Sequence, residues 1–212
     1  MRGWFALLMI GLALAPAQGS DLERETRLAA EIEDSIVVGE PLYLTADGHD
    51  FLALYTLAEP ARGSTLILHG PGYQPDWPLV AGPLREGLAD AGWTTLSIQL
   101  PVLTKHASDY DYVPVFPEAT ARIRAALTHL RAVAADEPVV LIAHSCGVHM
   151  AMAYVDTYGD NDFGGFVGIG MGATGSRQIV VPGANHNFEG DAAGVRLLET
   201  ITQWLDTTDF RQ

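Results

Sequence analysis

Ser145 follows Val139-Val140-Leu141-Ile142-Ala143-His144, an apolar and largely β-branched run. After it come Cys146-Gly147 and a second apolar stretch from Val148 to Tyr158. A serine between a strand-like run and a helix-like run has the context of a nucleophile elbow, a sharp turn that lifts the hydroxyl above a sheet. Small neighbours fit there because the two backbones nearly touch. The helix N-terminus behind the turn offers backbone N–H groups, Cys146 first, to a developing oxyanion. The chemistry such a group does is acyl transfer. A serine that simply caps a helix after a buried strand has the same local pattern.

A serine hydroxyl is a weak nucleophile near neutral pH and needs a base to accept its proton. His186, in Gly183-Ala184-Asn185-His186 near the C-terminus, is the candidate base. An exposed turn histidine is the competing reading. His144 is too close to Ser145 along the chain to serve, and a structural role beside the elbow suits it better. Glu189 and Asp191 lie just past His186 and are the nearby carboxylates that could orient it. Tyr110, Tyr112 and Phe116 lie in the loop from Pro101 to Pro117, where they either line an acyl pocket or pack the loop onto the domain. Cys146 is the only cysteine, so no intrachain disulfide can form. It reads as a small buried hydrophobe.

These residues must be positioned by elements whose pattern alternates. Residues 21–34 read as a helix, with Glu23 and Arg27 four apart. Pro41–Ala46 and Asp50–Leu57 read as a hairpin turned at Asp47-Gly48. Thr65–Leu68, Thr94–Leu100, Val139–His144, Phe166–Gly170 and Gln178–Val181 read as strands. Helices are expected over Leu79–Ala91, Glu118–Ala135, Val148–Tyr158 and Ala192–Leu205. The last carries Val195, Leu198, Ile201 and Leu205 as one apolar stripe. Strands alternating with helices predict an α/β fold, a mostly parallel sheet flanked on both faces. Ligands of such sheets bind at the carboxyl ends of the strands.

The amino terminus reads as an export signal over residues 1–17. Arg2 precedes an apolar run from Trp4 to Leu14, and Ala15-Pro16-Ala17 fits a small-x-small cleavage site. The run is short for a membrane span, which needs roughly 20 apolar residues. Residues 18–212 then form one domain in the periplasm or outside the cell. With 26 acidic residues against 12 basic ones, the chain is a poor match for nucleic acid or an anionic membrane surface. No phosphate-binding glycine loop and no histidine pair with metal-ligand spacing is present, so no metal or cofactor is expected.

From about Asp21 to Met171 the chain resembles the α/β-hydrolase superfamily, and within it a proteobacterial family of unknown function. The resemblance is carried by Ala46-Asp47-Gly48-His49-Asp50-Phe51-Leu52, Leu68-His69-Gly70, Asp76-Trp77-Pro78 and Gly92-Trp93-Thr94-Thr95-Leu96-Ser97. Leu100-Pro101-Val102-Leu103, Tyr110-Asp111-Tyr112-Val113-Pro114, Ala143-His144-Ser145-Cys146-Gly147 and Val181-Pro182-Gly183-Ala184-Asn185-His186-Asn187-Phe188 also match. The resemblance implies a serine hydrolase acting on a small ester or acyl substrate, with Ser145 before His186 in chain order.

Three departures stand out. Pro71 follows His69-Gly70, where this fold uses a backbone N–H on the oxyanion; proline has none, and Gly72 is the substitute. The family's strand and helix that carry the acid are missing between Gly175 and Ser176, a shortening by about one strand–helix unit. Six residues separate Met171 from Gln178, whereas a parallel crossover needs a dozen or more. A strand over Gln178–Val181 would then run antiparallel and leave His186 some 15–20 Å from Ser145, or else the six residues must run back extended over roughly 20 Å, only just one strand length. On that geometry the expected esterase activity is weak or absent, and the alternative to an enzyme is a scaffold kept for binding or structure.

Overall fold

The computed structural model describes residues 19–170 and 178–210. The expected signal, residues 1–17, and the expected shortening after Gly175 lie outside them. β1 (Glu40–Ala46) and β2 (His49–Thr56) form an antiparallel hairpin. Its turn uses Asp47 at φ 49° and Gly48 at φ 80°, the paired left-handed conformation that matches strand twist. β3 (Ser64–Leu68), β4 (Thr94–Ile98), β5 (Val139–His144) and β6 (Gly165–Ile169) follow. Among the described residues the sheet order is β1-β2-β4-β3-β5-β6. β3 pairs parallel with both β4 and β5, and β5 pairs parallel with β6.

β3, β4 and β5 are buried along their whole length, as a sheet covered on both faces requires. Alternate side chains feed two cores. Leu66, Leu68, Leu96, Ile98, Leu141 and Ala143 face α3 (Phe116–Val133) and α4 (Cys146–Tyr158). Ile67, Val140 and Ile142 face α2 (Ala81–Asp90) and α5 (Asp191–Thr207). Each fully buried aliphatic side chain contributes about 1.5–3 kcal/mol relative to exposure. α1 (Leu22–Glu33) lies on the hairpin, packing Ala29 and Ile32 on Leu52 and Leu54. Its Glu23–Arg27 pair closes at 2.7 Å.

Three expectations are corrected. Gln178–Val181 forms no strand; the chain there is irregular, and turns follow it. On α5 the inward residues are Ala193, Leu197, Ile201 and Leu205, while Val195 is exposed. The expected stripe is out of phase at the start of the helix because the residue that faces inward there, Ala193, is small. The loop from Pro101 to Pro117 contains a 3₁₀ helix over Asp109–Val115. Ser108 opens it, donating both its N–H (2.7 Å) and its hydroxyl (2.8 Å) to Asp111.

Candidate active site

β5 delivers Ser145 at φ 54°, ψ −124°, a backbone state that costs a non-glycine residue on the order of 1–3 kcal/mol. Its environment holds it there. The Ser145 N–H donates to the Ile169 carbonyl at the end of β6 (3.0 Å), and its carbonyl accepts from Val148 N–H (2.9 Å). The hydroxyl makes no capping bond to α4. Gly147 permits the turn: a Cβ there would stand 2.6 Å from the His69 carbonyl oxygen and 3.0 Å from that of Leu68. The start of α4 is thereby seated against the end of β3.

The Ser145 hydroxyl faces His186, with Oγ 2.9 Å from Nε2. The separation of 15–20 Å expected from the short connection does not occur. β6 ends at the carboxyl edge of the sheet, beside Ser145. Gln178–Val181 is not a strand, and the turns that follow it place His186 beside Ser145. Ala184 N–H bonds Val181 O (3.3 Å) and Phe188 N–H bonds Asn185 O (3.1 Å). The Asn185 side chain accepts from the N–H groups of Asn187 (3.1 Å) and Glu189 (3.0 Å). Phe188, at φ 57°, is buried in the core against α2 and α5 and anchors this segment. A Cβ on Gly170 would lie 3.1 Å from His186 Nδ1, so the ring needs a residue without a side chain there.

His144 Nε2 lies 3.0 Å from the His186 carbonyl oxygen. A carbonyl only accepts, so His144 carries its proton on Nε2. Burial lowers the His144 pKa. His69 is wholly enclosed. Its Nδ1–H donates to Gly70 O (2.7 Å) and its Nε2 accepts from Leu100 N–H (2.9 Å). That pattern requires the neutral ring, and desolvation lowers its pKa to about 4. The ring buckles the turn after β3 onto the turn after β4.

His69 thereby ties stability to pH. In the unfolded chain it takes a proton near pH 6.5, and in the folded protein only near pH 4. Its contribution is complete above pH 6.5 and is lost as pH falls toward 4, by about 3 kcal/mol in all. Urea unfolding of the native protein and of His69→Asn between pH 7.5 and 4 checks it. The native protein should lose stability more steeply, and parallel curves would refute the assignment.

The oxyanion candidates separate. Cys146 begins α4, where the N–H has no intrahelical acceptor. Burial raises its thiol to about 11, which keeps it protonated and not nucleophilic. Gly72, at φ 69°, is held otherwise than expected. Its carbonyl accepts from Arg24 Nη2 (3.0 Å), and its N–H approaches the Tyr112 hydroxyl, which also accepts from Leu103 N–H (3.1 Å). Glu189 accepts from the Asn185 amide at 2.7 Å, a partner other than His186. Asp191 is the first residue of α5; its side chain lies outside the described part of the structure.

The pocket candidates are also corrected. Tyr110 is 88% exposed, Tyr112 is buried in the core, and Phe116 packs half-buried against it. Tyr112 and Phe116 therefore pack the loop onto the domain, and Tyr110 points to solvent. The gap beside the site is lined by His69, Gly70, Tyr73, Trp77, His144 and Ile169 together with core residues such as Leu84 and Ile142, and it is too narrow to admit a water molecule. Tyr73 stacks on Trp77 with ring centroids 4.0 Å apart. Two aromatics four residues apart are the signal that could have found it. Two further positioning residues carry no mark in the sequence. Arg24 grips Gly72 and the Leu103 carbonyl. Buried Arg85 bonds Asp76 (2.7 Å) beneath the Tyr73–Trp77 turn. Among the described residues no group of His, Cys, Asp and Glu could hold a metal ion, and no helix is long and apolar enough to cross a membrane.

A family described as "Protein of unknown function (DUF3530)" matches residues 13–112, fewer than half of the 212. A search of the curated proteins finds no match. Among solved structures, a cold-adapted esterase from an Arctic intertidal metagenomic library is similar at TM-score 0.52 and 16% identity, over 62% of this chain and 60% of that one. A Xanthomonas campestris protein described as an α/β serine hydrolase without lid is similar at TM-score 0.51 and 15% identity, over 68% and 66%. A thermostable carboxyl esterase from Bacillus coagulans is similar at TM-score 0.50 and 17% identity, over 64% and 45%. The chain thus spans about half to two thirds of the length of these proteins. Together with the sheet order and the elbow, they show that this chain has the α/β-hydrolase fold.

Proposed function

We propose that the protein is an exported serine hydrolase that cleaves small carboxylic esters or related acyl compounds. The observation that carries this is the 2.9 Å approach of His186 Nε2 to Ser145 Oγ at a strained strand-to-helix turn. His186 takes the hydroxyl proton while Oγ forms a bond to the acyl carbon, and the carbonyl electrons move to oxygen beside the Cys146 N–H. The carbonyl reforms as the alcohol leaves with the proton held by His186. Water then repeats the sequence and releases the acid. His186 is an exposed residue, so water can reach the acyl-enzyme. Ester hydrolysis is also what the names of the similar esterases describe.

A scaffold with impaired chemistry is the second reading. It rests on Pro71, on the Glu189 carboxylate bound to Asn185, and on the missing acid-bearing strand. One experiment addresses both the chemistry and the compartment. A fluorophosphonate probe is applied to periplasmic and membrane fractions of cells making the native protein or Ser145→Ala. The expected result is one labelled periplasmic band, absent in Ser145→Ala, whose protein begins near Gln18. An unlabelled native protein would overturn the enzyme reading, and intact Met1 in the membrane fraction would overturn export.

A further inference from the structure

A base that works on Ser145 needs its imidazole held, and no carboxylate among the described residues bonds the His186 ring. Two scaffold groups reach the segment that carries it. His144, the residue before the nucleophile, donates Nε2–H to the His186 carbonyl at 3.0 Å. Tyr73, in the turn after β3, donates its hydroxyl to Asn187 Oδ1 at 3.2 Å. The two rings are themselves parallel, at 9° with centroids 6.2 Å apart, and Trp77 stacks behind Tyr73. The contacts fall on adjacent residues, and both originate from the turns that also set the serine and the oxyanion loop.

We infer that His144 and Tyr73 form a two-point clamp that positions His186, whose ring no described carboxylate bonds. Neither residue touches the reacting atoms; both act through the backbone and side chain of the segment 186–187. The chemistry needed is modest. His144 must present an N–H at Nε2, and Tyr73 must present a hydroxyl while keeping its ring against His144. Gly170 completes the arrangement by leaving room for the ring, since a Cβ there would lie 3.1 Å from His186 Nδ1. A displacement of about 1 Å at a catalytic base costs on the order of 100-fold in rate.

The clamp rests on the proposed role of His186, so its test needs one readout that does not depend on turnover. Imidazole-¹⁵N spectra of the native protein, His144→Leu, His144→Gln and Tyr73→Phe provide it. In the native protein His186 should show a single tautomer with the proton on Nδ1. His144→Gln keeps an N–H donor and should preserve that spectrum, with kcat within about fivefold of native. His144→Leu should give an averaged tautomer and a kcat about 100-fold lower at little changed KM. Tyr73→Phe, which keeps the ring, should show a smaller change in the same direction. If His144→Leu folds and leaves the His186 spectrum native, the clamp is wrong. If it does not fold, Tyr73→Phe and His144→Gln decide: equal native-like spectra in both overturn the clamp. A native protein with a fixed tautomer and no ester turnover would instead sink the functional reading and leave the clamp standing.

Discussion

Ser145→Ala and His186→Ala should each lower kcat for a short-chain nitrophenyl ester by about 100-fold, and the double variant should lower it no further. The size follows from what the site has and what it lacks. In a serine protease with all three groups, removing the serine or histidine costs about 2 × 10⁶ in kcat, while removing the acid alone costs about 3 × 10⁴. A serine–histidine pair without its acid therefore retains roughly 100-fold over a site with neither. Here the pair is at bonding distance, and Glu189 is turned to Asn185. A loss near 10⁶ on removing Ser145 would mean that a carboxylate acts on His186 during turnover. Equal rates for native protein and all variants would mean that the pair does no acyl chemistry. Non-additivity is the second check, because two groups acting in one proton transfer cannot be lost twice.

Much of this arrangement was legible in the residues, for a definite reason. The elbow is a local feature: a buried strand, one residue at positive φ and a glycine whose Cβ would strike the next strand. Each of those leaves a mark within the single stretch from Val139 to Gly147. The sheet was legible because β3, β4 and β5 are buried on both faces and so read as unbroken apolar runs. The path to His186 was not. Ile179, Val180 and Val181 look like a strand, yet Ile179 and Val180 are exposed and belong to no sheet. Hydrophobic type alone cannot tell a strand from an irregular run when the neighbour that would pair with it is missing. The aromatic residues of the loop after β4 misled in the opposite way. Tyr110, Tyr112 and Phe116 lie close together in a region that borders the site, but a 3₁₀ helix exposes Tyr110 and buries Tyr112, and Phe116 begins α3.

What no pattern announced was the dependence of the site on α1. Arg24 reaches the Gly72 and Leu103 carbonyls, and Glu25 accepts the Val102 N–H at 3.0 Å. Those oxygens and that amide belong to the loops after β3 and β4. Long-range polar contacts of this kind have no sequence period, because the partners meet only after the sheet has formed. The helix itself was readable, and its function as a tie between loops was not.

Arg122→Met should therefore be the most destabilising single change outside the core, by about 3–5 kcal/mol at pH 7, or roughly 10 °C in Tm. Arg122 is 2% exposed and bonds Glu25 at 2.8 Å, the Gln99 carbonyl at 3.1 Å and the Glu118 carboxylate. Its guanidinium also lies over the Phe51 ring, 5.4 Å from the centroid. Glu25 is itself buried, and desolvation raises its pKa while Arg122 opposes the rise. Take the arginine away and the carboxylate is left charged, enclosed and without its cation. The folded state, in which the Glu25 pKa already lies above the unfolded value near 4.5, then binds a proton still more readily than the unfolded chain. The variant's deficit should accordingly narrow as pH falls from 7 toward 4.5, because protonation removes the stranded charge. Glu25→Gln combined with Arg122→Met should recover much of the loss at pH 7, since a neutral amide can still accept from Val102. Thermal unfolding of the three proteins across that range decides it. A deficit that is constant with pH and undiminished in the double variant would show that lost packing against Phe51, and not the buried charge, is what Arg122 provides.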